Sequence, residues 1–353
     1  MLSDQAINLP NQDDFERDEF AKHIGSFLCL HQHSPSIVVA IEGGWGTGKT
    51  SCINLIKNHL RQKEDKPIIV EFNPWLIGSL DSVIEGFLIQ FATSINQRFK
   101  SKHAINTAAK ILNLAKFLAP IKLIPGVEPW GTMVEKILDS IGKSVKASVD
   151  MVDLSLSAKK KSVEDAIIKL KHPIIVIVDD IDRLPPQEVR IIFQVIKAVC
   201  DFERVSYLLA YDPEPVSKAL SYDNTYDGKC YLEKIVQVSY PLPRLGYAHR
   251  KNFLLKQLKN LLEIQKRVLT DYENNALQEA MSSTAAVRSL STPRDVIRLI
   301  NKLQISGDRT KNEVNFADVL LFEIINLKYP EIAQTIRKEP EQFLKADNFD
   351  EDC

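Results

Sequence analysis

The sequence predicts an α/β fold, a parallel sheet packed between helices, followed by a helical C-terminal part. Between residues 13 and 244, five short runs rich in β-branched residues alternate with segments of helical periodicity, which is typical of parallel sheets. The third run, at 172–180, is apolar on both faces, as expected of a strand that helices cover on either side. From about Leu245 the strand pattern ends and leucines recur at helical spacing.

Composition sets the broad class of protein. The 353 residues carry 45 basic and 46 acidic side chains, a net charge of −1, and 44% of them are hydrophobic. The apolar fraction is too high, and the net charge too low, for a disordered chain. Near-zero charge also argues against bulk affinity for nucleic acid. A polar, acidic start unlike a secretory leader and five cysteines without C-x-x-C spacing predict a cytoplasmic protein with reduced thiols.

The first half of the chain is predicted to hold two strands. Apolar residues at helical spacing behind an acidic start predict a helix over 13–30. The β-branched run SIVVAIE stops at glycines, as buried strands do, and a helix follows it to Leu60. A second strand is predicted over 66–72, where an Asn-Pro-Trp turn ends it, and a helix is predicted over 81–99.

The second half is predicted to supply three more strands. Two acids end the strand at 172–180, prolines open a helix over 185–200, and strands follow over 205–211 and 235–240. We place the α/β core in 1–100 and 160–244, a helical basic insertion in 101–159, a helical subdomain in 245–345 and an acidic tail in 346–353.

A phosphate-binding loop is predicted at residues 43–50, which fit the pattern G-x-x-x-x-G-K-[ST] in full. Its glycines allow backbone N–H groups to turn inward around a phosphate, and the helix that follows adds its positive end. Lys49 would reach the β- and γ-phosphates of ATP, and the Thr50 hydroxyl would ligate Mg²⁺. The residues expected to contact the nucleotide are Gly43, Gly44, Trp45, Gly46, Thr47, Gly48, Lys49, Thr50 and Ser51.

Carboxylates at the end of the third strand are predicted to lie beside this loop, at the carboxyl edge of the sheet. Asp179 would hold Mg²⁺ directly or through water, and Asp180 would orient and deprotonate the attacking water. Asp182 could share the role of Asp180. A capping or ion-pair role is an equally good interpretation of Asp182 and Arg183.

Two further residues are candidates for sensing the nucleotide. Asp212 ends the fourth strand and would lie near the γ-phosphate, although a helix N-cap ahead of Pro213 explains it equally well. Arg294 begins a C-terminal helix and could fold back onto the phosphates as a catalytic arginine. The alternative for Arg294 is a solvated side chain paired with Asp295.

Together these residues resemble the KAP family of P-loop NTPases, a branch of the additional-strand class that includes AAA+ and STAND proteins. The resemblance covers roughly residues 13–303. Its motifs are FERDEF at 15–20, EGGWGTGKTS at 42–51, FNPW at 72–75, DDIDRL at 179–184, AYD at 210–212, YLEKIVQ at 231–237 and the segment from Pro293 to Asn301. It implies the strand order 5-1-4-3-2, ATP as the nucleotide and a regulatory role, and several bacterial members resemble phage-exclusion proteins.

One segment departs from the family, whose members commonly carry transmembrane helices between the phosphate loop and the acidic strand. Here no acid occurs between Glu85 and Glu128. The local charge of +6 comes from Arg98, Lys100, Lys102, Lys110, Lys116 and Lys122. We expect a helical insertion that packs on the core. The alternative is a basic amphipathic segment at 98–122 that touches a membrane surface or an anionic partner.

The sequence therefore predicts a Mg²⁺-dependent ATPase that acts as a nucleotide-dependent switch or regulator of an unknown protein effector, in bacterial anti-phage defence by analogy with the family. Two alternatives remain open. One is a membrane-surface or scaffold protein, peripheral at the inner face of the membrane, with a mainly structural nucleotide site. The other is a nucleic-acid-stimulated ATPase, which near-zero charge makes the least favoured. Assembly into homo-oligomers, with an arginine supplied by a neighbouring copy, is also left open.

Overall fold

The computed structural model of the protein describes residues 5–76, 80–118, 156–199, 201–221, 227–309 and 313–344. The predicted acidic tail and the centre of the predicted insertion, 119–155, lie outside these ranges. Within them, no helix combines the length and the apolar character that crossing a membrane requires.

A parallel sheet carries the fold. In the described part of the chain its strands are β1 (Ile37–Glu42), β2 (Ile68–Phe72), β3 (Ile174–Val178), β4 (Val205–Tyr211) and β5 (Val238–Pro241). They lie in the order β2-β3-β4-β1-β5, with parallel pairing throughout. The predicted fold class and the order 5-1-4-3-2 are therefore confirmed. Every residue of β3 and β4 is buried, because these strands lie at the centre of the sheet.

Helices cover the sheet on both faces. On one side, α1 (Asp18–Phe27) and α2 (Lys49–Gln62) pack against alternate residues of β1, β3 and β4. The opposite side has α3 (Leu80–Arg98), α4 (Lys102–Leu118), α5 (Leu156–Ile168), α6 (Pro186–Gln194), α7 (Pro213–Leu220) and α8 (Gly228–Ile235). Since successive side chains of a strand point to opposite faces, each face receives its own hydrophobic core.

A second group of helices follows β5 and has a separate hydrophobic cluster. These helices are α9 (Tyr247–Ile264), α10 (Asp271–Ser282), α11 (Thr284–Ser289), α12 (Pro293–Arg309), α13 (Phe316–Lys328), α14 (Pro330–Lys338) and α15 (Glu341–Leu344). Their buried apolar side chains pack on one another between Leu254 and Ile324. The helical C-terminal part is thus present, while the domain boundaries drawn from the sequence stay predictions.

Two predicted elements begin three or more residues later than expected. The helix predicted over 13–30 starts only at Asp18, because the Asp13 carboxylate accepts backbone N–H bonds and turns the chain just before it. The strand predicted over 235–240 starts at Val238, because α8 takes up its first residue. A local hydrogen-bonding interaction thus sets the start of the helix, and the end of the preceding helix delays the start of the strand.

The predicted basic insertion begins with α4, which packs against α3 and α5. Its apolar face, at most 1% exposed, consists of Ala104, Ala108, Ile111, Leu112, Leu114 and Ala115. These side chains belong to the same hydrophobic core as α3 and α5. The apolar surface that insertion into a membrane requires is therefore occupied along the described part of this segment.

Candidate nucleotide-binding site

The loop between β1 and α2 has the backbone shape of an anion cradle. Gly46 (φ +78°) and Gly48 (φ +99°) adopt left-handed conformations that residues with a Cβ rarely adopt. The helix α2 begins at Lys49, directly after the second of these glycines. Its first N–H groups and its positive end therefore face the loop.

Lys49 is held inside the loop by contacts with its neighbours. It is 8% exposed, and its Nζ donates to the Gly43 carbonyl oxygen at 2.8 Å and to Asp182 Oδ2 at 3.2 Å. The same Asp182 oxygen accepts the backbone N–H of Asp212 at 3.2 Å. Asp182 thus has the ion-pair role that was one interpretation of the sequence, and it joins the loop to the end of β4.

Thr50 and Asp179, the predicted Mg²⁺ ligands, are in direct contact. The Thr50 hydroxyl donates to Asp179 Oδ2 at 2.8 Å. Burial raises the pKa of the Asp179 carboxyl, and the hydrogen bond from Thr50 opposes that effect. Both side chains offer the hard oxygen ligands that Mg²⁺ prefers. The Asp179 carboxylate has lost part of its hydration through burial, and a bound cation would compensate for that loss.

Asp180, the predicted catalytic base, is fixed from two sides. Its backbone is left-handed (φ 60°, ψ 29°), a conformation that costs a non-glycine residue free energy and needs support from its surroundings. The carboxylate forms an ion pair with Arg183, whose Nε lies at 3.0 Å, and accepts from Asn73 Nδ2 at 3.3 Å. The Asn73 contact was not predicted, although a polar residue directly after β2, the strand beside β3, was a usable signal.

Asp212 fits both interpretations of the sequence. Its Oδ1 accepts the backbone N–H of Glu214 at 3.2 Å, so its side chain is the N-cap of α7. Its Oδ2 would lie 3.7 Å from a Cβ placed on Gly44, so the carboxylate also borders the phosphate loop. A helix cap and a sensing position coincide here, and the sensing role stays a prediction.

Arg294 reaches the outer side of the phosphate loop. Its guanidinium carbon lies 4.2 Å from the ring centroid of Trp45, and its Cβ would be 3.0 Å from a Cβ on Gly46. Asp295 forms an ion pair with Lys328 at 3.1 Å. The start of α12 is therefore packed on the loop, as a lid arginine requires.

The segment ahead of α1 supports the loop in a way that sequence reasoning missed. Arg17 is 5% exposed and donates to the carbonyl oxygens of Thr47, at 2.7 Å, and Pro243, at 3.0 Å. It lies so close behind Gly48 that a Cβ on that residue would be 2.7 Å from its Nη1. The signal was the FERDEF segment, which the resemblance included without a role.

A cavity of about 330 Å³ opens beside the phosphate loop. Its walls come from the N-terminal segment, from the loop with α2, from the end of β3 and from the C-terminal helices. Side chains that line it away from the loop include Ile7, Gln12, Asp13, Phe15, Phe253, Pro293 and Ile297. Apolar walls with a few polar groups are typical of sites for small organic ligands.

Comparison with known protein families matches residues 17–308 to the KAP family P-loop domain. This match spans the loop, the acidic strand and the start of α12. The chain belongs to the KAP family of P-loop NTPases. Within this KAP domain, the predicted phosphate, metal and base residues all meet at the carboxyl edge of the sheet.

Known proteins show further likenesses to this KAP domain. The chain is 27% identical over 347 residues to the Phage T7 exclusion protein of Escherichia coli. This match covers 93% of the chain and 46% of that protein. The chain thus spans less than half the length of that relative. Among solved structures, a RuvB mutant of Thermotoga maritima (13% identity, TM-score 0.40) covers 93% of this chain and 72% of its own. The Aeropyrum pernix ORC2 protein in ADPNP–ADP complexes (11% identity, TM-score 0.36) covers 87% and 66%.

Proposed function

We propose that this KAP domain binds ATP with Mg²⁺ and hydrolyses it, as a switch that couples the nucleotide state to a protein effector. The observation that supports this most is the meeting of Lys49, the Thr50–Asp179 pair and Asp180 beside one cavity. Lys49 would stabilise negative charge on the phosphates. Mg²⁺, when bound to Thr50 and Asp179, neutralises part of the phosphate charge.

Asp180 would act on the attacking water. Arg183 forms an ion pair with its carboxylate and Asn73 donates to it, and together these contacts limit its rotation. An oriented carboxylate at the edge of the cavity can accept a proton from water, and general-base catalysis of this kind contributes about 10²- to 10⁴-fold to the rate. Asn73 and Arg183 would therefore position the base.

The base and ribose of the nucleotide would lie between the N-terminal segment and the C-terminal helices. Phe15 and Phe253, whose ring centroids are 5.0 Å apart, line this part of the cavity with Ile297. Gln12 and Asp13 offer polar groups at its edge. An apolar wall with polar groups at its edge suits a purine, whose flat ring is apolar and whose rim carries hydrogen-bonding atoms.

Two substitutions separate binding from hydrolysis. Lys49→Ala removes the cation at the phosphates and should abolish ATP binding. Asp180→Asn keeps the shape of the side chain and should retain binding while turnover falls by about 100-fold or more. Calorimetry and phosphate release measure the two effects, with Lys229→Ala on the exposed side of α8 as the control. ATP binding and turnover unchanged by Lys49→Ala would refute the proposal.

We further propose that ATP turnover serves phage exclusion, because the Phage T7 exclusion protein is similar to this chain over 93% of its length. Phage T7 should form fewer plaques on lawns of cells that express the protein than on lawns of cells without it. The Asp180→Asn variant, expressed to the same level, should restore plaque numbers. Equal exclusion by both forms would show that protection against the phage does not depend on ATP hydrolysis.

We include assembly of several copies in this proposal, because a neighbouring copy could supply an arginine that stabilises charge on the phosphates. Light scattering with and without an ATP analogue tests this point. We expect the mass to rise in the presence of the nucleotide for the wild type and to stay constant for Lys49→Ala.

A further inference from the structure

Basic side chains from three separate segments meet at the amino edge of the sheet, the edge opposite the nucleotide site. One segment is the turn before β2, the second is the turn before β3, and the third is the corner between α3 and α4. We call this surface the basic edge, and its members are Lys66, Arg98, Lys100, Lys102, Lys169 and Lys171. All six side chains are exposed.

Direct contacts join the three segments. His172 Nδ1 lies 2.9 Å from the backbone carbonyl oxygen of Asp65, which sets the turn before β3 beside the turn before β2. The ring of Phe99 stacks on His172 with 4.3 Å between centroids, which brings the α3–α4 corner to the same place. His172 is therefore the centre around which the basic edge is arranged.

The packing of α4 on α5 places the remaining lysines. Thr107 Oγ1 donates to the Ala166 carbonyl oxygen at 3.1 Å, and Lys110 Nζ donates to the Ser162 carbonyl oxygen at 3.1 Å. These contacts show that the two helices run antiparallel. The start of α4, with Lys102, consequently lies beside the end of α5 and the lysines that follow it.

The basic edge carries more positive than negative charge. Among the described residues, no carboxylate forms an ion pair with any of its six members. The exposed acids of the same segments are Glu64, Asp65 and Asp165, so six cations face three acids. A chain with a net charge of −1 thus has a local excess of three positive charges here.

The backbone provides a second, independent observation. Left-handed φ angles occur at His33 (64°), Lys66 (44°), Lys171 (59°) and Arg204 (63°). These residues precede β1, β2, β3 and β4 in turn. Glycine adopts this conformation at a lower free energy than any residue with a Cβ. Two of these turns, at Lys66 and Lys171, have exposed cations of the basic edge in spite of that cost, whereas His33 pairs with Glu203 and Arg204 is half-buried.

We propose that the basic edge binds the phosphate backbone of duplex nucleic acid. Regularly spaced phosphates are bound by exposed, unpaired cations without any need for a pocket. Phe99 is engaged by His172 on one side and lies 5.9 Å from the Arg98 guanidinium, so it is not a platform for unpaired bases. Insertion into a membrane surface adds buried apolar side chains to the attraction between charges, and the apolar face of α4 is already buried in the described part of the protein.

This binding does not depend on the proposed ATPase activity. β3 separates Lys171 at the amino edge from Asp179 at the carboxyl edge, and the five lysines and one arginine of the basic edge line no part of the nucleotide cavity. Failure of the nucleic-acid proposal would therefore leave the proposed ATPase untouched.

Fluorescence anisotropy with a labelled 20-base-pair DNA duplex tests the proposal over a range of salt concentrations. Six phosphate contacts predict that the logarithm of the binding constant falls with the logarithm of salt at a slope of about −5. The triple variant Lys66→Gln, Lys100→Gln, Lys171→Gln should reduce the slope to about −3 and weaken binding on the order of 100-fold at about 0.1 M salt. Circular dichroism confirms that the exposed substitutions leave the fold intact.

The matched control removes the same charge elsewhere. Lys229→Gln, Lys234→Gln, Lys259→Gln changes exposed lysines of α8 and α9 and should bind the duplex like the wild type. Equal loss in the control would overturn the proposal, because bulk charge would then explain binding. A second outcome would also overturn it. In that outcome the duplex does not bind, whereas vesicles of anionic phospholipid bind the wild type and fail to bind the triple variant of Lys66, Lys100 and Lys171.

Discussion

Two buried cations, Lys49 and Arg17, hold the phosphate loop from opposite sides. Lys49 bonds to the Gly43 carbonyl oxygen inside the loop, and Arg17 bonds to the Thr47 carbonyl oxygen from behind it. A buried charge must find polar partners because it has lost its water. Here those partners belong to the loop itself, so the two cations hold the shape of the cradle.

Gly48→Ala should abolish nucleotide binding. Its φ of +99° is strained for any residue with a Cβ, and the new Cβ would meet Arg17 Nη1 at 2.7 Å. Gly25→Ala in α1 is the matched control, since its nearest neighbours are at 3.7 Å and alanine stabilises a helix interior by about 0.5–1 kcal/mol. Calorimetric titration with ATP and thermal unfolding check both, and unchanged affinity in Gly48→Ala would contradict the loop geometry.

Asp182→Asn should lower the melting temperature of the nucleotide-free protein and increase the stabilisation that ATP produces. Asp182 and Lys49 are each 9% exposed at the side chain, so removing the carboxylate leaves a buried ammonium with fewer partners. ATP would then bind without competition from Asp182 for that ammonium. Thermal unfolding with and without ATP measures both effects. A smaller ATP-induced shift in the variant than in the wild type would disprove the competition.

At the scale of elements, helix ends position the groups that matter. Gly48 is the N-cap of α2 in the phosphate loop, and the Asp212 carboxylate caps α7 beside that loop. In the C-terminal part, Thr270 and Glu273 form a capping box at the start of α10. Glu273 also pairs with the buried Arg267 at 2.8 Å. One carboxylate therefore secures both a helix end and the cluster on which that helix packs.

Glu273→Gln should reduce the free energy of unfolding by about 1–3 kcal/mol near neutral pH, because the charged contacts with Thr270 and Arg267 are weakened. The Thr270 backbone hydrogen bond, more than any other contact, lowers the pKa of Glu273 in the folded protein. Its stabilisation is thus complete above the unfolded-state pKa and is lost as the pH falls through the folded-state value. Urea unfolding should show the wild type and the variant converging in acid, and a constant difference would contradict the assignment.

At the scale of the whole molecule, the nucleotide cavity joins parts of the chain that are far apart in sequence. The N-terminal segment, the phosphate loop and the start of α12 all line it, although the sheet and the C-terminal helices have separate hydrophobic clusters. A nucleotide in this position would bridge the sheet with its helices and the C-terminal group of helices. Nucleotide state could then change how the C-terminal helices are held, which a switch requires.

Hydrogen exchange should reveal this bridge. Adding ATP and Mg²⁺ should slow exchange around Ile297 in α12 and in the N-terminal segment near Arg17, because both line the cavity. The helix α14, which does not line it, is the internal control and should exchange at the same rate with and without the nucleotide. In Lys49→Ala the slowing should disappear. Slowing confined to α2 would show that the nucleotide does not reach the C-terminal helices.

The sequence by itself determined the fold class, the place of the phosphate loop and the acidic strand end, because these features are local. β-branched runs and glycine spacing act within a few residues, and parallel strands bring their carboxyl ends to one edge. The strand order followed from the resemblance to KAP proteins, and the sheet has that order.

Only the tertiary structure decided which distant side chains meet. Arg17 lies behind the loop, Asn73 holds Asp180, and His172 gathers three basic segments into one surface. The tertiary structure also buries the apolar face of α4, for which the sequence had left a membrane contact open as the alternative to packing on the core. The physical reason is that the energy of these contacts depends on burial and distance between residues dozens of positions apart, and periodicity along the chain contains neither.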